Sequence, residues 1–192
     1  GLNANTVTTL RNVGGGVFLA PPRVPAANPP VGAQLADMNG DGKRDLIVAN
    51  GTTGSLSVRL GNGVGGFLAA STSAGVAGGG ARRTVVFAAT GDGKMDAMAA
   101  LDGAGAVVLW PGNGAGGLLA PTSFLTGPFC WDLATADLDQ DGKDDIVAVN
   151  NFPSSMSVLM GTGTGFALPV TSAAGNFPRG VALGLIDSDS FP

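Results

Sequence analysis

One acidic segment occurs three times in this chain, and its spacing constrains the fold more than any other feature. Leu35 to Asn50 reads LADMNGDGKRDLIVAN, Phe87 to Asp102 reads FAATGDGKMDAMAALD (offset by one), and Thr135 to Asn150 reads TADLDQDGKDDIVAVN. Their Asp-Gly-Lys cores begin at Asp41, Asp92 and Asp141, 51 and 49 residues apart. A unit repeated at this period cannot bury its apolar faces alone, so copies stack on one another. A second element alternates with the first. It reads LRNVGGGVFLAPP from Leu10, VRLGNGVGGFLAA from Val58, VLWPGNGAGGLLAP from Val108 and SVLMGTGTGFALPV from Ser157. Each copy is an apolar stretch, a Gly/Asn turn and a second apolar stretch, which is the pattern of a β-hairpin.

Reading one repeat for strands gives four. Val31–Ala36 leads into the acidic loop and Asp45–Ala49 leaves it, while Ser55–Leu60 and Phe67–Ser73 form the hairpin. Helical periodicity is absent. The 33 glycines and 12 prolines suit an all-β chain with many tight turns, because glycine supplies the positive φ that such turns need. The expected fold is therefore an all-β β-propeller of four-stranded antiparallel blades. The chain is read as a single unit over 1–192. Its blades fall near 31–80, 81–130 and 131–178, with incomplete blades at 1–30 and 179–192, about four blades' worth of sequence in all.

Composition excludes several functions. Apolar residues make up 44% and charged residues 12%, unlike a disordered acidic tail. Net charge is −4 and only Arg82 and Arg83 are adjacent cations, so no basic patch points to nucleic acid. No apolar run has the length of a membrane helix. Cys130 is the single cysteine, so no internal disulfide forms, and it is expected to be a small buried hydrophobe. There is no His, Glu or Tyr, which removes Ser-His-Asp and Cys-His chemistry and His-ligated zinc. The chain is expected not to be an enzyme. Gly61–Gly66 and Gly112–Gly117 carry glycine spacings of the dinucleotide-binding kind, but a strand follows each where that motif requires a helix.

All 14 acids are Asp, and most fall in the repeated loops. From Asp37 to Asp45, oxygens stand at alternate positions: Asp37, Asn39, Asp41, the backbone carbonyl of Lys43, and Asp45. Asp137, Asp139, Asp141, Lys143 and Asp145 repeat the set with one more carboxylate. Calcium takes six to eight oxygens in a flexible geometry, and a curled loop turns every second side chain inward. Both loops are expected to bind calcium, which would fix the turn between two strands and raise stability. In the middle loop Ala88 and Thr90 replace the first two ligands. Only Asp92 and Asp96 remain there, so calcium binding is expected to be weak or absent. Asp187 and Asp189 begin a fourth loop.

Together, the Asp-x-Asn/Asp-x-Asp-Gly-x-x-Asp loop and the Gly-Asn-Gly-x-Gly-Gly-Phe hairpin resemble FG-GAP or VCBS repeats. Such repeats build integrin α-subunit propellers, fungal propeller lectins and many bacterial secreted proteins. The resemblance implies a calcium loop between the first two strands of each blade and a ring of usually seven blades. This chain carries about four. Three arrangements stay open: a closed four-bladed ring, a head-to-tail homodimer that completes a ring of about eight, or a segment of a longer propeller. An extracellular, secreted or cell-surface location is expected. The function expected is a binding or adhesion module whose ligand is a glycan or a protein. The alternative is a structural segment of a larger secreted protein. Trp110 and Trp131, with Phe129 and Phe152, are the aromatics that could stack on a sugar face, against the competing role of packing between blades. Phe18, Phe67 and Phe166 follow the hairpin turns and are expected in the blade core.

Overall fold

The computed structural model describes residues 5–19, 23–26 and 29–184, and no helix occurs among them. The amino-terminal part forms two small nested pairs. β1 (Thr6–Val7) pairs with β4 (Val24–Pro25), and between them β2 (Arg11–Asn12) pairs with β3 (Phe18–Leu19). Three four-stranded antiparallel sheets follow. The first contains β5 (Pro30–Ala36), β6 (Asp45–Asn50), β7 (Ser55–Gly61) and β8 (Phe67–Thr72). The second contains β9 (Ala81–Phe87), β10 (Asp96–Leu101), β11 (Ala106–Trp110) and β12 (Thr122–Leu125). The third contains β13 (Cys130–Ala136), β14 (Asp145–Asn150), β15 (Ser155–Leu159) and β16 (Val170–Ala173). In each of these three sheets the strands neighbour each other in chain order. Each sheet matches one sequence repeat, and in the first the strands lie within one or two residues of the expected positions.

Burial follows strand position. The first strand of each sheet is partly covered, the second is fully buried, and the fourth is largely exposed. The reason is face-to-face stacking of sheets. In β10 and β11, Ala97, Ala99, Leu101, Ala106, Val108 and Trp110 pack against Ile47, Ala49, Leu56 and Val58 of the first sheet. The alternate residues Met98, Ala100, Val107 and Leu109 pack against Leu133, Ile146, Ala148 and Leu159 of the third. A strand covered on both sides needs apolar residues at every position, so these strands read as unbroken apolar runs. The first strands lie side by side, with β9 in contact with both β5 and β13.

Two buried asparagines find acceptors for their Nδ2 groups in the stack. Asn50 closes the second strand of the first sheet and its Nδ2 donates to Ser55 Oγ and Ser57 Oγ, both at 3.0 Å. Asn150 repeats the arrangement, donating to Ser155 Oγ at 3.1 Å and to the Thr126 carbonyl at 2.9 Å. Phe166 reaches across to the second sheet, 6.2 Å from Phe87 and 5.6 Å from Phe124 between ring centroids. Phe67 is half-buried. Phe18 departs from expectation: it is 57% exposed and lies in the two-stranded pair of β2 and β3 rather than in a four-stranded sheet.

Candidate functional site

The acidic loops join the first strand to the second in each sheet. In the first loop, Asp37 gathers the turn around itself. Its Oδ1 accepts from the Gly40 and Asp41 amides at 2.8 and 3.2 Å, and its Oδ2 from the Gly42 amide at 2.7 Å. Asn39 Oδ1 accepts from the Asp41 amide at 3.2 Å. Gly40 and Gly42 adopt φ of 75° and 80°, which the sharp turn requires. Asp45 is fully buried and ties the loop to the sheet: Oδ2 accepts from the Met38 amide and Oδ1 from the Gly61 amide, each at 2.8 Å. The third loop repeats this scheme. Asp137 accepts from the Asp141 and Gly142 amides at 3.0 and 2.9 Å, Asp139 from Asp141 at 3.2 Å, and Asp145 from Leu138 and Gly161 at 2.8 and 2.7 Å.

These amide bonds hold the carboxylates in place and bring them together. Oxygens of Asp137, Asp139 and Asp145 lie within 4.8 Å of one another, the one such trio of acids among the described residues. A carboxylate oxygen carries two lone pairs, so one that accepts a single amide can also face a cation. An all-oxygen, carboxylate-rich set of this kind suits a hard cation such as calcium. In the first loop the amide oxygen of Asn39 takes the place of the second carboxylate. Asp41 and Asp141 sit differently from the sequence expectation of inward ligands. Asp41 Oδ1 accepts from the Lys43 amide at 2.9 Å and Oδ2 from Lys43 Nζ at 2.9 Å. Asp141 does the same with Lys143, its Oδ1 3.0 Å from the amide and its Oδ2 paired with Nζ. The lysine bonds hold both carboxyls below the usual carboxylate range, and the aspartates in turn raise Lys43 and Lys143. Asp144 is pushed the other way, by burial first and then by the charges of Asp137 and Asp145.

The middle loop has the same length but a different grip. Asp96 is fully buried and its Oδ1 accepts from the Gly112 amide at 2.8 Å, as its counterparts do. Its Oδ2 takes the Thr90 amide at 2.8 Å, one residue further along than Met38 or Leu138. Asp92 bonds the Lys94 amide and Nζ at 3.0 and 2.7 Å, which lowers its carboxyl. Without acids at 88 and 90, no trio of carboxylates forms there. Asp187 and Asp189 lie outside the described residues.

The aromatic candidates separate. Trp110 is fully buried between the first two sheets, and its Nε1 donates to the Ala74 carbonyl at 3.1 Å. It offers no face to a ligand, so its place among the binding candidates is corrected to core packing. Trp131, at the start of β13, is half-buried in an open cleft of about 400 Å³ with Val31, Arg82, Arg83, Asp132 and Arg179. Phe129 and Phe152 form an exposed edge-on pair 6.5 Å apart. The arginines of the cleft were passed over in the sequence. In the sequence only Arg82 and Arg83 are adjacent, and Arg179 lies 96 residues beyond Arg83.

Stacked four-stranded meanders, each with an acidic loop between its first two strands, define a class of tandem β-repeat proteins. The FG-GAP-like repeat family matches residues 37–98 and 89–148, and the chain belongs to that family. No curated protein sequence matches it. Among solved structures it is similar to an Agrocybe aegerita lectin, described as recognising non-reducing terminal N-acetylglucosamine, with 21% identity and a TM-score of 0.59. The likeness covers 90% of this chain and 53% of the lectin, so the chain spans about half of that relative's length. It is also similar to the V. cholerae biofilm matrix protein Bap1, with 21% identity and a TM-score of 0.48 over 79% of this chain and 22% of that one. Among the described residues, no helix is long and apolar enough to cross a membrane.

Proposed function

We propose that this chain is a calcium-stapled part of an extracellular or cell-surface β-propeller that acts as a binding or adhesion module for glycans, and that it is not an enzyme in its own right. The observation that carries the proposal is the convergence of Asp137, Asp139 and Asp145 within 4.8 Å at the turn between two strands. Three carboxylates so close repel one another, and a divalent cation cancels that repulsion while fixing β13 to β14. The first loop offers Asp37, Asn39 and Asp45 for the same purpose. The fold likeness to a lectin supports the glycan class of ligand, and the absence of His, Glu and Tyr supports a role without catalysis.

Light-scattering mass and thermal melting, in calcium and then in EDTA, test this together with a glycan panel. A melt that falls on chelation and binding to a subset of glycans are the expected results. A melt indifferent to EDTA would reduce the acidic loops to turns. A second reading, a structural repeat segment whose ligand site lies in another part of a larger protein, is favoured by the share of the lectin's length that this chain spans. Silence across the glycan panel with a calcium-dependent melt would select it. The same mass measurement distinguishes a monomer from a head-to-tail homodimer.

A further inference from the structure

The first strand of each four-stranded sheet carries a β-bulge at the end away from its acidic loop. In β5, Val31 is inserted between Pro30, opposite Asn50, and Gly32, opposite Ala49. In β9, Arg82 and Arg83 stand between Ala81, opposite Leu101, and Thr84, opposite Ala99. In β13, Trp131 lies between Cys130, opposite Asn150, and Asp132, opposite Val149. A bulge bends its strand and re-aims the side chain of the extra residue. Because the first strands lie side by side, the three bulges bring residues of three consecutive repeats to one cleft. Val31, Arg82, Arg83 and Trp131 line it, and Asp132 and Arg179 complete it.

The charge in this cleft runs against the net −4 of the chain. Three of the ten cations meet there, facing two aspartates. Arg82 is already committed: its Nε and Nη2 donate to Asp102 Oδ2 at 2.9 and 2.5 Å, and its guanidinium carbon sits 4.4 Å from the Trp131 ring centre. Arg83 makes a loose pair, with Nε 3.7 Å from Asp132 Oδ1. Asp132 is otherwise used in fixing the backbone, accepting from the Leu133 amide at 2.9 Å and the Val181 amide at 3.2 Å. That second bond anchors the segment carrying Arg179 beside β13. Arg179 lies 5.1 Å from the Trp131 ring centre and, among the described residues, has neither an ion pair nor a side-chain hydrogen bond. Its five donors are held over an aromatic ring and remain unspent.

We propose that this cleft binds an oxyanion group, a carboxylate or a sulfate, on an acidic sugar. Arg179 is its main donor, Arg83 the second, and Trp131 the platform that orders the guanidinium groups. A planar fork of N–H donors matches such a group in two-point geometry. The proposal rests on the glycan-binding reading above and narrows it to acidic glycans. The cleft lies a strand's length, about 20 Å, from the acidic loops, so calcium affects it only through the fold.

The two indole N–H signals of uniformly nitrogen-15-labelled protein give the test. Trp110 is a buried internal reference, and Trp131 reports on the cleft. Methyl glucuronide and glucose 6-sulfate are expected to move the Trp131 signal saturably and leave Trp110 in place, while neutral methyl glucoside moves neither. Arg179→Ala is expected to weaken binding by about ten-fold with no change in melting temperature, and Arg179→Lys to restore part of it. Equal titration by methyl glucoside and the glucuronide would overturn the proposal, as would undiminished binding by Arg179→Ala. The two readings fail separately. If inorganic sulfate saturates the Trp131 signal as readily as the sulfated sugar, the oxyanion site stands and the sugar does not. If neutral glycans bind while Trp131 stays silent to both acids, the module stands and this site does not.

Discussion

The amide of Gly61 donates to the buried carboxylate of Asp45 across sixteen residues, at 2.8 Å. The bond recurs from Gly112 to Asp96 at 2.8 Å and from Gly161 to Asp145 at 2.7 Å. It clamps the end of the third strand onto the start of the second. The approach leaves no room for a side chain. A Cβ on Gly61 would lie 2.1 Å from the Arg44 carbonyl oxygen, and one on Gly112 would lie 2.0 Å from that of Met95. Neither glycine has a positive φ, so proximity alone demands glycine here. Gly112→Ala is therefore expected to cost about 1–3 kcal/mol by forcing the loop off the sheet. Urea unfolding checks this, with Gly175→Ala as control, where an added Cβ meets nothing. Equal midpoints for the two variants would refute the clamp.

Asp96 separates the structural role of this carboxylate from any metal. It sits in the loop that lacks a ligand trio, yet it is fully buried and accepts from both the Thr90 and Gly112 amides. Asp96→Ala strands two amide donors, for a loss of about 2–4 kcal/mol. The loss should be the same in calcium and in EDTA. Asp145→Ala removes the same clamp plus a ligand, so its loss should be larger in calcium. A calcium-dependent penalty for Asp96→Ala would show that the middle loop binds the ion after all.

The repeat, the strands and the acidic loops were all legible in the sequence, and the bulges were not. Leu46 to Ala49, Ala97 to Leu101 and Ile146 to Val149 declare buried strands because both of their faces are covered. The loop ends are equally plain, since Asp45, Asp96 and Asp145 begin those runs. A one-residue slip in the first strand changes no hydrophobic pattern, so Val31, Arg82-Arg83 and Trp131 gave no sign of sharing a cleft. Trp110 and Trp131 looked alike as tryptophans. Their strands decide the difference, since β11 is sandwiched between the first and third sheets while β13 borders the open cleft. Spacing gave no sign of the lysine two residues on, whose ammonium pairs with the Asp41 and Asp141 carboxylates.

Calcium should raise stability through the third loop most. At a free concentration a hundred times the dissociation constant, one site adds about 2.7 kcal/mol. Asp139→Ala removes one of the converging carboxylates, and because Asp139 is exposed and off the clamp it should fold as well as the parent in EDTA. It is expected to lose most of the third site's share of the calcium-dependent rise in melting temperature. Asp92→Ala is expected to lose none. Paired melts of the three proteins, with and without calcium, measure this. A full calcium response from Asp139→Ala would move the dominant site to Asp37 to Asp45.

Cys130 gives the fold a pH dependence on the alkaline side. The thiol is fully buried, and burial pushes its pKa from 9.0 up to about 11. The folded state thus keeps the proton after the unfolded chain has released it. Stability from this group is complete below pH 9, falls as pH rises, and is gone above about pH 11. Two pKa units correspond to about 2.7 kcal/mol. The chain has no Tyr and only three Lys, so few other groups titrate in that window. Urea unfolding midpoints should fall between pH 9 and 11 in the parent, and much less in Cys130→Ala, which starts lower because a buried sulfur has been removed. The same burial should keep the native thiol unreactive toward iodoacetamide at neutral pH and expose it only on unfolding. Parallel pH profiles for the two proteins, or rapid alkylation of the folded parent, would show that Cys130 is not sealed between the second and third sheets.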